Sequence, residues 1–251
     1  MFQVIWHYID SGAHPGKWNM FRDQKLAEEL GAGLRPPTLR FFQWQPYCIS
    51  LGKHQKIDDI DIEKCKSKNI DVVYRPTGGR AILHAEELTY SVIFSDRNTG
   101  GIEETYRQIS EALVAGLKEV GIPAAMVMTQ PDFKSLYRQT QSMSCFSSSA
   151  RYEIQVDGHK LVGSAQRRLA GAVLQHGSIL TGPYHRKLTD FLRLNDQDRQ
   201  LAESIMNEKT IELSQIKNVD LAELKRAIRA AFQKLFHIEF IEEKFDDLVE
   251  V

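Results

Sequence analysis

Asp157-Gly158 is the most restrictive pair in this chain. Before it, Tyr152, Ile154 and Val156 alternate with Arg151, Glu153 and Gln155; after it, Lys160, Val162, Ser164 and Gln166 alternate with Leu161, Gly163 and Ala165. Period-two patterning on both sides of Asp-Gly predicts a two-residue β-hairpin, because that dipeptide accepts the positive φ angles such a turn needs. A lone hairpin is marginal in water, so further strands must flank it. LTYSVIF, rich in β-branched and aromatic residues, and VLQHGSIL read as those strands; TLRFFQW, YCISLG and the short DVVY read as others.

Helical spacing covers much of the rest. Residues 18–30 place Trp18, Phe21, Leu26 and Leu30 on one side before Gly31, and a helix is expected over Asp59 to Asn69. Ile102, Tyr106, Ile109, Leu113, Leu117 and Val120 form the clearest stripe, stopped by Gly121 and Pro123. A helical segment near 187–206 and a second over LAELKRAIRAAFQKLF follow. Strands joined by hairpins with few βαβ alternations imply an α/β (α+β) protein: a mixed, largely antiparallel sheet flanked by helices. A shift in composition near Thr181 suggests a catalytic domain over 1–195 and a short helical C-terminal extension over 196–251.

Composition removes several functional classes. The 251 residues are 42% apolar and 26% charged, enough for a substantial core. A formal charge of -1 and a pI near 6.7 argue against a dedicated nucleic-acid binder. MFQVIWHYIDSG lacks the layout of a signal peptide, and no apolar run approaches the roughly 20 residues of a membrane span, so a cytoplasmic protein without a membrane partner is expected. The three cysteines, Cys48, Cys65 and Cys145, lack CxxC spacing and suggest neither a disulfide framework nor a metal site.

Two stretches carry chemistry. In YRPTGGRAILHAEELTYSV, Gly78-Gly79 permits close approach to the main chain between Arg75 and Arg80, whose planar donors suit a phosphate or carboxylate. A hairpin turn with solvated arginines explains the same residues equally well. His84 follows as either a site residue or a structural histidine. Cys48 sits in a strand pattern and Cys65 on an amphipathic helix, whereas Cys145 lies in the polar, small-residue stretch SMSCFSSSA, where a thiol nucleophile or an incidental loop cysteine fits. Lys160 stands just past the hairpin turn, and Gly163, Ser164 and Ala165 leave space beside their strand. Gln175, His176, Gly177 and Ser178 put polar groups on a strand that should be buried.

RPTGGRAILHAEELTYSV, CFSSSARYEI, HKLVGSAQRR and LQHGSI, in that order and spacing, resemble the biotin/lipoate protein ligase and octanoyltransferase family, most closely its cysteine-dependent octanoyltransferases. The resemblance spans roughly residues 5–195 and implies that family's mixed-sheet catalytic domain. It implies that Cys145 carries the acyl group, that Lys160 contacts the acyl carbonyl, and that Arg75, Thr77, Gly78, Gly79 and Arg80 border the acyl pocket. His84, Gly163, Ser164, Ala165, Gln166, His176 and Gly177 are further implied contacts. The expected partners are octanoyl-acyl carrier protein as donor and a lipoyl-domain protein, such as glycine cleavage H protein, as acceptor. No cofactor is expected, since a thioester is already activated; ATP and Mg would enter only in an alternative lipoate-protein ligase route, and a non-catalytic acyl-binding relative is the third possibility. Relatives often have Arg-Arg before the glycines and His-Asp after them, where this chain has Tyr74-Arg75 and His84-Ala85. The acidic pair Glu86-Glu87 is expected on a solvated turn.

Overall fold

The computed structural model describes residues 4–96, 101–127 and 153–243. In chain order the elements are β1 (Val4–His14), α1 (Gly16–Gly31), β2 (Thr38–Trp44), β3 (Cys48–Leu51), α2 (Ile62–Ser67), β4 (Asp71–Tyr74), β5 (Ile82–His84), β6 (Glu87–Ser95) and α3 (Ile102–Glu119). There follow β7 (Ala125–Val127), β8 (Glu153–Val156), β9 (His159–Leu169), β10 (Ala172–Leu180), a 3₁₀ segment (Pro183–Phe191), α4 (Asp196–Lys209), α5 (Leu213–Ile216), α6 (Leu221–Phe236) and β11 (Ile238–Glu242). Eight strands form one sheet in the order β11-β1-β2-β6-β10-β9-β8-β7, and β4-β3-β5 form a second, smaller one. In the large sheet only β11/β1 and β1/β2 run parallel, so it is mixed and largely antiparallel.

The two faces of the large sheet differ in chemistry. One is covered by α3 and α6 over a core containing Leu39, Phe41, Tyr90, Leu113, Leu117, Ile179 and Phe232. Leu224, Ile228 and Phe232 are buried at four-residue intervals on α6, which Asp220 caps by accepting from the Glu223 amide. Gly116 on α3 admits α6, for a Cβ there would lie 2.6 Å from the Ile228 Cα. Residues past 195 therefore contribute to this core and, through β11, to the sheet edge. The other face packs α1 on a small apolar cluster, Ile9, Leu26, Ile93 and Leu174, and next to it the strands present polar side chains.

The Asp157-Gly158 turn forms as expected, with φ of 48° and 80°, between β8 and β9. Two helix expectations need correction. Asp59–Asn69 divides into a 3₁₀ turn over Ile57–Asp59 and α2, because Asp61 caps a new start by accepting from the Lys64 amide. The segment near 187–206 likewise divides into the 3₁₀ stretch and α4, which starts where Asn195 accepts from the Asp198 amide. Among the described residues, no helix is long and apolar enough to cross a membrane.

Candidate active site

The loop after β4 is held from beneath by Arg75. Its Nη1 donates to the Ser50 carbonyl at 2.9 Å and to Ser50 Oγ at 3.1 Å, while Nε and Nη2 donate to the Gly78 carbonyl at 3.0 and 2.8 Å. Nη2 also donates to the Arg80 carbonyl at 2.7 Å. Arg75 is only 4% exposed, so it is neither a solvated turn residue nor a group reaching outward for an anion; it is the post around which the loop is wrapped. Arg80 is half-buried. Gly79 has φ 98°, and its carbonyl lies where a Cβ on Gly52 would be, 1.9 Å away, so both positions require glycine. Gly78 is exposed with open space where a side chain would project.

This loop faces the polar side of the large sheet. Thr77 Oγ1 lies 2.7 Å from His176 Nε2, and His176 Nδ1 lies 3.1 Å from Asp23 Oδ2 on α1. Asp23 is fully buried and also receives Arg40 Nη1 at 2.7 Å and Ser91 Oγ at 2.8 Å. Burial alone raises its pKa, but the His176 hydrogen bond and the Arg40 charge outweigh that and hold it below the ordinary carboxylate value. His176 is shifted down, because burial penalises the imidazolium more than Asp23 favours it. A neutral imidazole beside an ionised Asp23 donates from Nδ1, which leaves Nε2 to accept the Thr77 hydroxyl proton.

A second line of the same kind runs beside it. His84 Nδ1 lies 2.8 Å from Glu87 Oε1, and His84 Nε2 lies 2.7 Å from Ser50 Oγ, the hydroxyl that Arg75 contacts. Trp44 stacks on the His84 ring at 4.1 Å and donates Nε1 to Thr89 Oγ1 at 2.7 Å. Glu87 also accepts from Thr89 and from Ser178. Burial raises the Glu87 pKa, yet the His84 charge and these donors bring it below the ordinary value. The expectation of a solvated Glu86-Glu87 turn is therefore wrong for Glu87, which is 1% exposed; only Glu86 is on the surface, where it accepts from the Tyr184 amide. The strand begins at Glu87 itself and turns that side chain inward.

Lys160 reaches this face through a β-bulge. The pairing shifts between Ile154↔Val162 and Gln155↔Lys160, so Leu161 is the extra residue, and both Leu161 and Val162 pack in the core beneath α3 and α6. Strict alternation assigned Lys160 to the side of Val162, Ser164 and Gln166. The bulge places it instead with Gly163 and Ala165, the residues opposite Ser178 and His176 in register. Lys160 is 6% exposed, and its Nζ lies 2.6 Å from Glu153 Oε1. Ser164 and Gln166 point to the other side, where Ser164 Oγ meets the Tyr90 hydroxyl at 2.8 Å and Gln166 Nε2 donates to Gln175 at 3.0 Å. On that side too, a Cβ on Gly177 would fall 2.5 Å from the Gly163 carbonyl.

Thus Thr77, His84, Gly163, Ala165, His176 and Lys160 belong to one face, while Ser164, Gln166 and Gly177 serve the packing of the other. Cys145 lies outside the described residues. Cys48 and Cys65 are buried; burial raises the Cys48 thiol well above its usual value and Cys65 to about 11, so neither is a thiolate near neutral pH. Sequence reasoning missed Asp23, Trp44, Ser50 and Glu87 as site residues. Asp23 carried a readable signal, a carboxylate three residues before the apolar Leu26 on the helix side that should face the sheet.

Residues 15–233 match the family model described as the lipoyl protein ligase A/B catalytic domain. The octanoyltransferase LipM of Exiguobacterium sp. is 37% identical over 248 residues, covering 96% of this chain and 90% of that protein. That of Symbiobacterium thermophilum is 38% identical over 237 residues, covering 92% and 86%. A structure described as a bi-partite lipoate protein ligase and its E2 lipoyl domain from Thermoplasma acidophilum shares the fold with a TM-score of 0.77 at 20% identity, covering 97% of this chain and 88% of that one. A catalytic-domain match across most of the sequence, on a sheet whose polar face gathers Lys160, two histidine–carboxylate pairs and a glycine loop, places this chain in the lipoyl protein ligase A/B catalytic domain family.

Proposed function

We propose that this protein is an octanoyltransferase that moves an octanoyl group from acyl carrier protein to a lysine of a lipoyl-domain protein through a thioester on Cys145. The observation that carries the reading is the bulge at Leu161, which puts Lys160 on the face of the sheet that holds Gly163, Ala165 and His176. Octanoyltransferases among the relatives at 37% and 38% identity support octanoyl transfer.

In the first transfer the Cys145 thiolate attacks the donor carbonyl, a new carbon–sulfur bond forms, and the carrier thiolate leaves. In the second, the neutral amine of the acceptor lysine attacks the acyl-enzyme, the bond to Cys145 breaks, and the amine nitrogen gives up a proton as the amide forms. Each step passes through an oxyanion, which Lys160 meets as a fixed cation. His176, neutral at physiological pH, is the base that takes the amine proton. Arg75, Thr77, Gly78 and Gly79 shape the loop over the chain, and Arg80 and His84 line its ends. No ATP is consumed, because the donor thioester supplies the activation.

Incubation with octanoyl-acyl carrier protein and no ATP tests the scheme. Intact mass should show an octanoyl adduct that hydroxylamine removes and that Cys145→Ala lacks. Full transfer by Cys145→Ala, or amide formation only with free lipoate plus ATP, would overturn it.

A further inference from the structure

A cleft of about 710 Å³ opens beside the glycine loop. Lys17 on α1, Lys53 after β3 and Arg167 on β9 line it, with Val72, Tyr74 and Pro76 as apolar floor and wall. Four cations, these three and the loop-bound Arg75, and no carboxylate occur among the described residues that line it. Lys17 and Lys53 are exposed, and Tyr74 is 47% exposed. Arg167 is tied to the loop, donating Nη1 to the Pro76 carbonyl at 2.8 Å. Pro76 precedes Thr77, so the loop that lines this cleft also carries the Thr77 hydroxyl to His176.

We infer that the cleft binds the phosphopantetheine arm of the donor carrier protein, its phosphodiester at Lys17 and Lys53 and its branched methyl-bearing segment against Val72, Tyr74 and Pro76. This rests on the octanoyltransferase reading and adds a place for the part of the donor that is not transferred. The chemistry of the arm fits the lining: one fixed negative charge, then a narrow, mostly apolar amide chain ending at the thioester. Lysine serves a phosphate as a point charge, and a cleft of this volume is in the range of small-ligand sites. The carrier protein, and not free coenzyme A, is the committed source, because Lys17 and Lys53 are exposed, so a protein body can stay outside the cleft while its phosphodiester meets them.

The test compares acylation by octanoyl-pantetheine, octanoyl-4′-phosphopantetheine and octanoyl-carrier protein, read by intact mass, in the natural protein and in K17E/K53E. In the natural protein the phosphate should raise the rate at low substrate by about tenfold, and salt should erode the gain. K17E/K53E should lose that gain for both phosphorylated donors while reacting normally with octanoyl-pantetheine, which also reports that the variant is folded. Equal rates with and without phosphate in the natural protein, or a gain that survives in K17E/K53E, would overturn the inference. So would a defect confined to the carrier protein or to the later step with the lipoyl domain, either of which would put a protein surface on the cleft. Calorimetry with non-acylated phosphopantetheine separates the two levels: binding that K17E/K53E abolishes supports the cleft even if no thioester acylates the protein, whereas acylation without phosphate-dependent binding leaves the transferase reading and removes this one.

Discussion

The Lys160 ammonium and the Glu153 carboxylate stand 2.6 Å apart, each almost wholly withdrawn from water, on neighbouring strands of the hairpin. A buried cation needs its counter-charge more than a buried pair needs to exist at all. Glu153→Gln should therefore destabilise the fold by about 3 kcal/mol, and the double variant E153Q/K160M should regain much of that loss while remaining inactive in acyl transfer. Urea unfolding and intact-mass acylation read the two effects separately. A single variant as stable as the natural protein would show that the pair is incidental.

Gly177 and Gly78 make a matched contrast. A methyl group on Gly177 would collide with the Gly163 carbonyl, Ser164 Oγ at 2.7 Å and Tyr90 Cε1 at 2.8 Å, whereas Gly78 has nothing within 4 Å. Gly177→Ala should cost about 2 kcal/mol through forced repacking between β9 and β10. Gly78→Ala should leave stability within about 0.5 kcal/mol, and any loss of transfer would report its nearness to substrate. Thermal unfolding alongside activity decides both.

Glu87 accepts hydrogen bonds through Oε1 from Thr89 at 2.5 Å and from Ser178 at 2.8 Å, with His84 at 2.8 Å. Glu87→Gln replaces an ionised acceptor by an amide that must point donors at some of those same groups. The expected loss is about 2 kcal/mol, with His84 losing the partner that orients its ring. A melting temperature equal to that of the natural protein would refute this.

Acid should weaken the fold through His185. Burial outweighs its contacts and lowers its pKa to about 4 from an unfolded value of about 6.5. Between those values the unfolded chain binds a proton that the folded one refuses, so stability falls as pH drops from about 6.5 to about 4, by about 3 kcal/mol in total. Asp23 and Glu87, both held low, add their losses only further down, as they protonate below the usual carboxylate range. His185→Gln should flatten the stability slope across the upper window. An unchanged slope in denaturant midpoints would assign the acid sensitivity elsewhere.

Patterns that repeat were legible in the chain, and single departures from them were not. The Asp157-Gly158 turn, the stripe from Ile102 to Val120 and the strand LTYSVIF each announce themselves through several residues obeying one period. The bulge at Leu161 is one extra residue inside a good alternation, and nothing in HKLVGSAQ distinguishes it from an ordinary strand. That is why strict alternation puts Lys160 on the wrong face. Arg75 and Glu87 were misplaced for a related reason: a charged side chain is normally read as exposed, and burial of either is tolerated only with partners that include residues distant in sequence, Ser50 for Arg75 and Ser178 for Glu87. Strand β1 went unread as structure because VIWHYIDSGAH follows neither period cleanly, which suits a strand paired on both edges and bent at Asp10–Ala13.

The parallel pairing of β1 with β11 joins Val4 to Ile238, the two ends of the described chain. A ribosome releases the first of these strands long before the second exists, so the nascent chain carries an open hydrogen-bonding edge, with Trp6 and Tyr8 beside it, for nearly the whole of its synthesis.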